Sequence, residues 1–287
     1  MARVPRLNSA IGALEQGGAT FSAFVPMDIQ TAQVMTATKY DSIVFEGEHL
    51  PWDANSLRDA LQFMLDRRVI ADSGSVAPSV TPFARVPVNG VEKGQWHAKQ
   101  ALDIGCYGIV WPHISTVGEA YNAVAACRYP RLKDKPLYEP MGIRGDGPVR
   151  AARYWGLTQQ EYYQKADVWP LAPEGEIFVI LQIEDTKGIE NLPDMLKNVP
   201  GIGAILIGEG DLGQELGFPR QYEHPDLLDA MARIVDTCIQ HDTIVGHPHA
   251  DAKNMELLLK QGYRFLMAAP ARTYEGLDRG LALVGRQ

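Results

Sequence analysis

The chain has 287 residues, of which 46% are hydrophobic and 22% charged, and a formal net charge of −8 at pH 7. The length suits one large α/β domain, and the negative charge argues against a nucleic-acid partner, which would need a basic face. No apolar run approaches the ~20 residues of a membrane span, the opening MARVPRLNSA lacks an apolar signal core, and Cys106, Cys127 and Cys238 are too few and too scattered for a disulfide frame or a zinc site. The expectation is a cytoplasmic protein with reduced thiols.

Residues 1–18 read as a lead-in with a short helix. Ala19–Val25 is the first predicted strand, and Asp28 is placed to cap a helix running to about Thr38. Asp41–Phe45 is the second strand, followed by Glu46-Gly-Glu-His49 and a helix from about Asn55 to Val69. Ser79–Val86 is the third strand, carrying Arg85, with a helix over Lys93–Ile104. Gly108–Trp111 is the fourth, closed by Pro112-His113, with a helix over Val117–Arg128. A long connection, 129–172, rich in Pro, Gly and basic residues, carries a helical piece near Thr158–Ala166; a connection of this length is functional or part of an interface. Phe178–Ile183 and Ala204–Ile207 are strands five and six, with a helix over Gly188–Asn198 between them. Thr243–Gly246 and Arg264–Ala268 are strands seven and eight, preceded by helices over Pro225–Gln240 and Ala252–Gln261. A last helix covers about 273–285.

Eight short apolar runs alternating with amphipathic helices predict a (β/α)8 TIM barrel over residues 1–287, with no second domain. An open doubly wound sheet would want a glycine-rich phosphate loop after its first strand, and Val25-Pro-Met-Asp28 has none.

In a barrel the C-terminal strand ends share one face. Four features fall there: Glu48-His49, Arg85, Gln182-Ile-Glu184 and Gly208-Glu-Gly-Asp211. Carboxylates on consecutive strand ends suit a hard divalent cation such as Mg²⁺ or Mn²⁺; the same acids would equally serve as helix caps. A cation in such a place polarises the oxygens of an α-oxo acid, an arginine stabilises an enolate, and a histidine moves a proton. Taken singly, the histidine also fits a bystander, the arginine an ion-pair partner, and Asp103 a solvated helix residue.

The pieces Glu46-Gly-Glu-His49, Ala84-Arg-Val-Pro87, Ala101-Leu-Asp-Ile-Gly105, Cys127-Arg-Tyr-Pro130 with Met141-Gly-Ile-Arg-Gly145, Leu181-Gln-Ile-Glu184, Asn191-Leu-Pro193, Ile207-Gly-Glu-Gly-Asp-Leu212 and His224-Pro225 occur in one order along almost the whole chain. Together they resemble the HpcH/HpaI family of class II, metal-dependent pyruvate aldolases. The resemblance implies a barrel whose C-terminal helix is swapped within a homotrimer or homohexamer. It also implies reversible cleavage of a 4-hydroxy-2-oxo acid to pyruvate and an aldehyde. By motif, Glu184 and Asp211 would hold Mg²⁺ or Mn²⁺, with Co²⁺ as a further option. Arg85 would neutralise the enolate, and His49 would act in acid–base chemistry with Asp103 as its orienting partner. Gln182 would line the pyruvate end, and the backbone around Gly210 and Asp211 would take the carboxylate.

The chain departs from the family pattern at several places. Glu209 stands where proline is usual and Glu46 where aspartate is usual. Trp111-Pro-His113 is bulkier than expected, Arg131–Pro140 resembles an insertion, and His247-Pro-His249 follows strand seven. Rival readings are an oxaloacetate decarboxylase similar to macrophomate synthase, a coenzyme-A-ester lyase without the basic cluster its phosphates would want, and a barrel that binds an oxo acid or metal without turnover.

Overall fold

A computed structural model describes residues 5–87, 89–269 and 274–286. Among them are ten parallel strands: β1 (Thr20–Ser22), β2 (Phe24–Val25), β3 (Ser42–Glu46), β4 (Thr81–Arg85), β5 (Gly108–Trp111), β6 (Val168–Trp169), β7 (Ile177–Ile183), β8 (Ala204–Ile207), β9 (Ile244–His247) and β10 (Phe265–Met267). The hydrogen-bonded order is β1-β10-β9-β8-β7-β5-β4-β3-β2, with β6 added beside β7. β1 and β2 are two pieces of one strand interrupted at Ala23. The carbonyl of Ser22 accepts the Ala268 N–H and that of Ala23 accepts the Val44 N–H, both at 2.8 Å, so the sheet returns on itself as a barrel.

Each strand is a short run of β-branched, aliphatic or aromatic residues buried on both sides, as a parallel barrel requires. The barrel floor is packed by Phe83, Phe178 and Phe265, whose rings follow one another at 5.9 and 6.0 Å. Gly108 makes room for this stack: a Cβ there would stand 2.7 Å from both the Phe178 carbonyl oxygen and the Phe83 ring.

All eight expected strand positions are occupied, with ends moved by a residue or two. The expected helix over 55–69 is two helices, Ala54–Phe63 and Arg67–Ser73. The break has a local cause, because the Asp66 side chain accepts the N–H groups of Arg68 and Val69 and starts a new helix. Asp28 caps Ile29–Thr36 as expected. The motif after β8 opens a helix of its own, Glu209–Glu215, which the chain-order reading did not contain.

The long connection folds into helices Val149–Trp155 and Gln159–Lys165 and the short β6. It packs on helix Gln95–Ile104 and the foot of β5, with Trp155 stacked on Tyr107 at 4.1 Å and donating to the Gly105 carbonyl at 2.9 Å. Of the expected C-terminal helix, Thr273 lies outside the described residues and Glu275–Leu283 is helical. In the single chain this helix lies on its own barrel: Leu277 and Leu281 are buried, and Arg279 pairs with Glu256 at 3.1 Å. Among the described residues no helix is long and apolar enough to cross a membrane.

Candidate active site

The C-terminal ends of β3, β4, β7, β8 and β9 converge on a cavity of about 310 Å³. Arg85, the last residue of β4, lines it and is 7% exposed. Its Nε donates to Glu46 Oε1 at 3.1 Å and its Nη2 to Glu46 Oε2, a bidentate grip across paired strands, since Glu46 stands opposite Arg85 in the β3–β4 register. Nη1 donates to Gln182 Oε1 at 3.2 Å and lies 2.8 Å from Glu48 Oε2. The Phe24 ring covers the guanidinium at 4.3 Å, shielding it from water. Glu46 also accepts the N–H groups of Glu48 and His49, which fixes the turn after β3.

Glu184 follows β7 and is buried. It accepts the His113 N–H at 2.6 Å and the Gln182 side-chain amide at 3.3 Å. His113 sits at φ 50°, a conformation uncommon for a residue with a side chain, and its ring lies between Glu184 (3.7 Å) and Glu48 (3.5 Å). Gly208, opening the next loop, lies flat against the Glu184 side chain, so any Cβ there would collide with it. Burial pushes the Glu184 carboxyl up to about 7; the His113 ring and backbone oppose that rise, while Glu48 and Asp211 add to it. Burial likewise raises Glu48, against the pull of Arg85, His49 and His113.

His49, Arg85, Gln182, Glu184, Gly210 and Asp211 all line this one cavity. His49 lies at its exposed edge with Nε2 3.7 Å from Glu48. Gly210 and Asp211 lie in the first turn of helix Glu209–Glu215, where N–H groups lack helical partners. Asp103 is placed elsewhere. It is on helix Gln95–Ile104, paired with Arg144 at 2.8 Å, and does not line the cavity, so within one chain it is not brought to His49.

Glu48 and His113 fall at strand ends in the sequence, but neither is given a metal-binding role there. Glu48, His113 and Glu184 each offer an oxygen or nitrogen, with all three atoms within 4.8 Å of one another. The available signal was position: Glu48 and His113 follow strand ends just as Arg85 and Glu184 do. The set fits a hard divalent cation. Glu184 is buried and Glu48 half-buried, burial raises both carboxyls, Glu48 adds to the rise of Glu184, and the nearby cationic charge of Arg85 is already gripped by Glu46.

Residues 22–269 match the HpcH/HpaI aldolase/citrate lyase family. The chain belongs to this family. It is 29% identical over 264 residues to a hydroxypyruvate/pyruvate aldolase of Roseobacter denitrificans, covering 92% of this chain and 91% of that one. It is 31% identical over 226 residues to a 4-hydroxy-2-oxovalerate aldolase of Rhodococcus jostii, covering 78% and 75%. An HpcH/HpaI aldolase/citrate lyase family protein from Burkholderia cenocepacia superimposes with a TM-score of 0.72 at 25% identity, covering 93% of this chain and 91% of that one. The expected family and barrel are thus both found.

Proposed function

We propose that this family member is a divalent-metal-dependent pyruvate aldolase, reversibly cleaving a 4-hydroxy-2-oxo acid to pyruvate and an aldehyde. The observation that carries the reading is the convergence of Arg85, Gln182 and the buried Glu184 on one cavity, with Glu48 and His113 on one side and Asp211 on another wall. The aldolase names of the relatives support it.

Glu184 and Asp211 would hold Mg²⁺ or Mn²⁺, with Glu48 and His113 adjacent. A divalent cation in this place supplies Lewis acidity toward the oxygens of an oxo acid. The chain's own residues do the rest. Arg85, gripped by Glu46 and covered by Phe24, presents a fixed positive charge to the enolate oxygen without reorganising. Gln182 orients the pyruvate end from 3.2 Å beside Arg85. The N–H groups of the Gly210–Asp211 turn face the carboxylate, and Gly210 has open space where a side chain would stand. His49 holds the proton at the exposed edge, where an aldehyde enters. Because Asp103 is bound to Arg144, an orienting role toward His49 would need a second copy of the chain. Assembly as a homotrimer or homohexamer belongs to the same reading; Leu50, next in sequence to His49, and Trp96, on the helix that carries Asp103, are exposed apolar residues.

Proton NMR of pyruvate in D₂O tests the reading. The methyl signal should disappear with protein and Mg²⁺ and persist after EDTA. Persistence of the signal in every sample, with cation binding shown separately, would reject it.

A further inference from the structure

The wall of the mouth built by β8 and β9 carries ionisable groups that the aldolase reading leaves unused. Glu209 is 4% exposed. A carboxylate so buried normally has a cation beside it; this one has two histidines. His249 Nδ1 contacts Glu209 Oε1, and His247 Nε2 lies 3.7 Å from Oε2. The backbone N–H of His249 donates to His247 Nδ1 at 3.1 Å, which leaves the proton of a neutral His247 on Nε2, facing Glu209. Burial pushes His247 down to about 4; Glu209 opposes that fall and His249 adds to it, so the ring is neutral at neutral pH.

A carboxylate only accepts, so the proton between Glu209 and His249 belongs to His249 Nδ1. In a neutral ring the other nitrogen, Nε2, then presents a lone pair. Among the described residues it has no hydrogen-bond partner, and the ring lines the same cavity as Arg85, Gln182 and Glu184 with 61% of the side chain exposed. An imidazole pinned in this way is a directed acceptor. It receives an O–H group, offers nothing to a carboxylate, and has a negative charge behind it that disfavours an anion.

We propose that Glu209, His247 and His249 form the acceptor half of the site, in which His249 Nε2 accepts a hydrogen bond from the hydroxyl of an uncharged hydroxy-aldehyde. Glu209 and His247 are positioning residues that hold the ring and its tautomer. The assignment rests on the pyruvate-aldolase reading and names the second substrate's class. The competing anchor is Arg220, also on the cavity wall and bound to the Tyr222 hydroxyl at 2.9 Å, which would suit an acidic aldehyde instead.

The test compares pyruvate addition to glycolaldehyde, propionaldehyde and succinic semialdehyde. The protein should favour glycolaldehyde over both others by about tenfold or more in kcat/KM, the size of one specific hydrogen bond. His249→Phe, which keeps a ring but removes the acceptor, should lower the preference for glycolaldehyde over propionaldehyde by about tenfold. Glu209→Gln is read in the same way if the phenylalanine variant does not fold. A ratio is used because general damage to the fold lowers both rates together. An unchanged ratio, or a preference for succinic semialdehyde, overturns the assignment while metal-dependent exchange of pyruvate protons keeps the aldolase reading. Absence of that exchange in the unmodified protein overturns both.

Discussion

Two groups of buried ionic side chains differ in how their charges are matched. Beneath the long connection, Arg128 gives Nε and Nη2 to Asp167, Nη1 to the Pro140 carbonyl and Nη2 also to the Leu137 carbonyl, and Arg131 adds a second cation to Asp167. Cations there at least balance carboxylates, and carbonyl oxygens take the remaining donors. At the barrel mouth, Glu46, Glu48 and Glu184 crowd around one guanidinium and His113, with Asp211 on the same cavity. The first group closes its own charge balance and fastens a connection. The second is left with excess carboxylate; burial raises Glu48 and Glu184, neighbouring carboxylates add to the rise, and an added cation is favourable there. Burial alone therefore does not mark a site; unmatched burial beside a cavity does.

Arg85→Ala should break the mouth most severely. It removes the charge offered to the enolate, and loss of one preorganised donor of this kind costs about 10²–10³-fold in rate. Pyruvate proton exchange should fall by that order, and Arg85→Lys should recover only part, because an ammonium cannot reproduce the two-pronged grip on Glu46. Exchange within threefold of the unmodified rate would remove Arg85 from the mechanism.

The matched group should respond in stability instead. Arg128→Ala leaves Asp167 buried with less cationic charge and strands two carbonyl groups, a change that costs about 3–5 kcal/mol in comparable buried pairs. Urea titration should show that loss, while exchange activity per folded molecule stays unchanged. An equal loss of activity at full folding would show that the two regions are not separate.

Acid sharpens the same contrast. Burial on its own would raise Asp167, but the Arg128 guanidinium, the Val168 N–H and Arg131 outweigh it and hold the carboxyl below its ordinary range. The folded state then binds fewer protons than the unfolded chain, whose aspartates titrate near pH ~3.9. The stabilisation is complete above that pH and is lost as pH falls through the lower folded value. Asp167→Asn should lower stability at neutral pH by about 1–3 kcal/mol and flatten its fall below pH ~4. An identical acid slope in the variant would assign that slope to other carboxylates.

Much of this arrangement is legible in the residues because it is local. Apolar runs closed by Gly, Pro or an acid mark the strands, and a (β/α)8 closure puts Arg85, Gln182, Glu184 and Asp211 on one face without further information. What escaped depended on contacts distant in sequence or on short-range competition. Glu48, His113 and Glu184 meet only because β3, β5 and β7 approach across the barrel mouth. Asp103 is drawn to Arg144, forty-one positions away, and nothing in its own helix predicts that partner. The helix break before Arg67 depends on one aspartate side chain outcompeting continued helix. The pairing of Glu209 with His249 joins two departures from the family pattern that look unrelated along the chain.

Glu184→Gln is the smallest expected change in stability and discriminates most finely between the two regions. Where charges are matched, neutralising a carboxylate destabilises. At Glu184, burial already disfavours the charged form, and an amide keeps the shape and can still accept the His113 N–H. Without added cation, stability should therefore stay the same or rise by up to about 1 kcal/mol, opposite in sign to Asp167→Asn. With Mg²⁺ or Mn²⁺ the order should reverse. The unmodified protein gains stability by mass action as the ion binds, whereas the variant, lacking a charged oxygen ligand, gains little. Paired thermal melts with EDTA and with excess cation would show the crossing. Destabilisation of the variant in EDTA by as much as Asp167→Asn would mean that Glu184 is matched after all, by His113, and that its carboxylate serves the fold before it serves an ion.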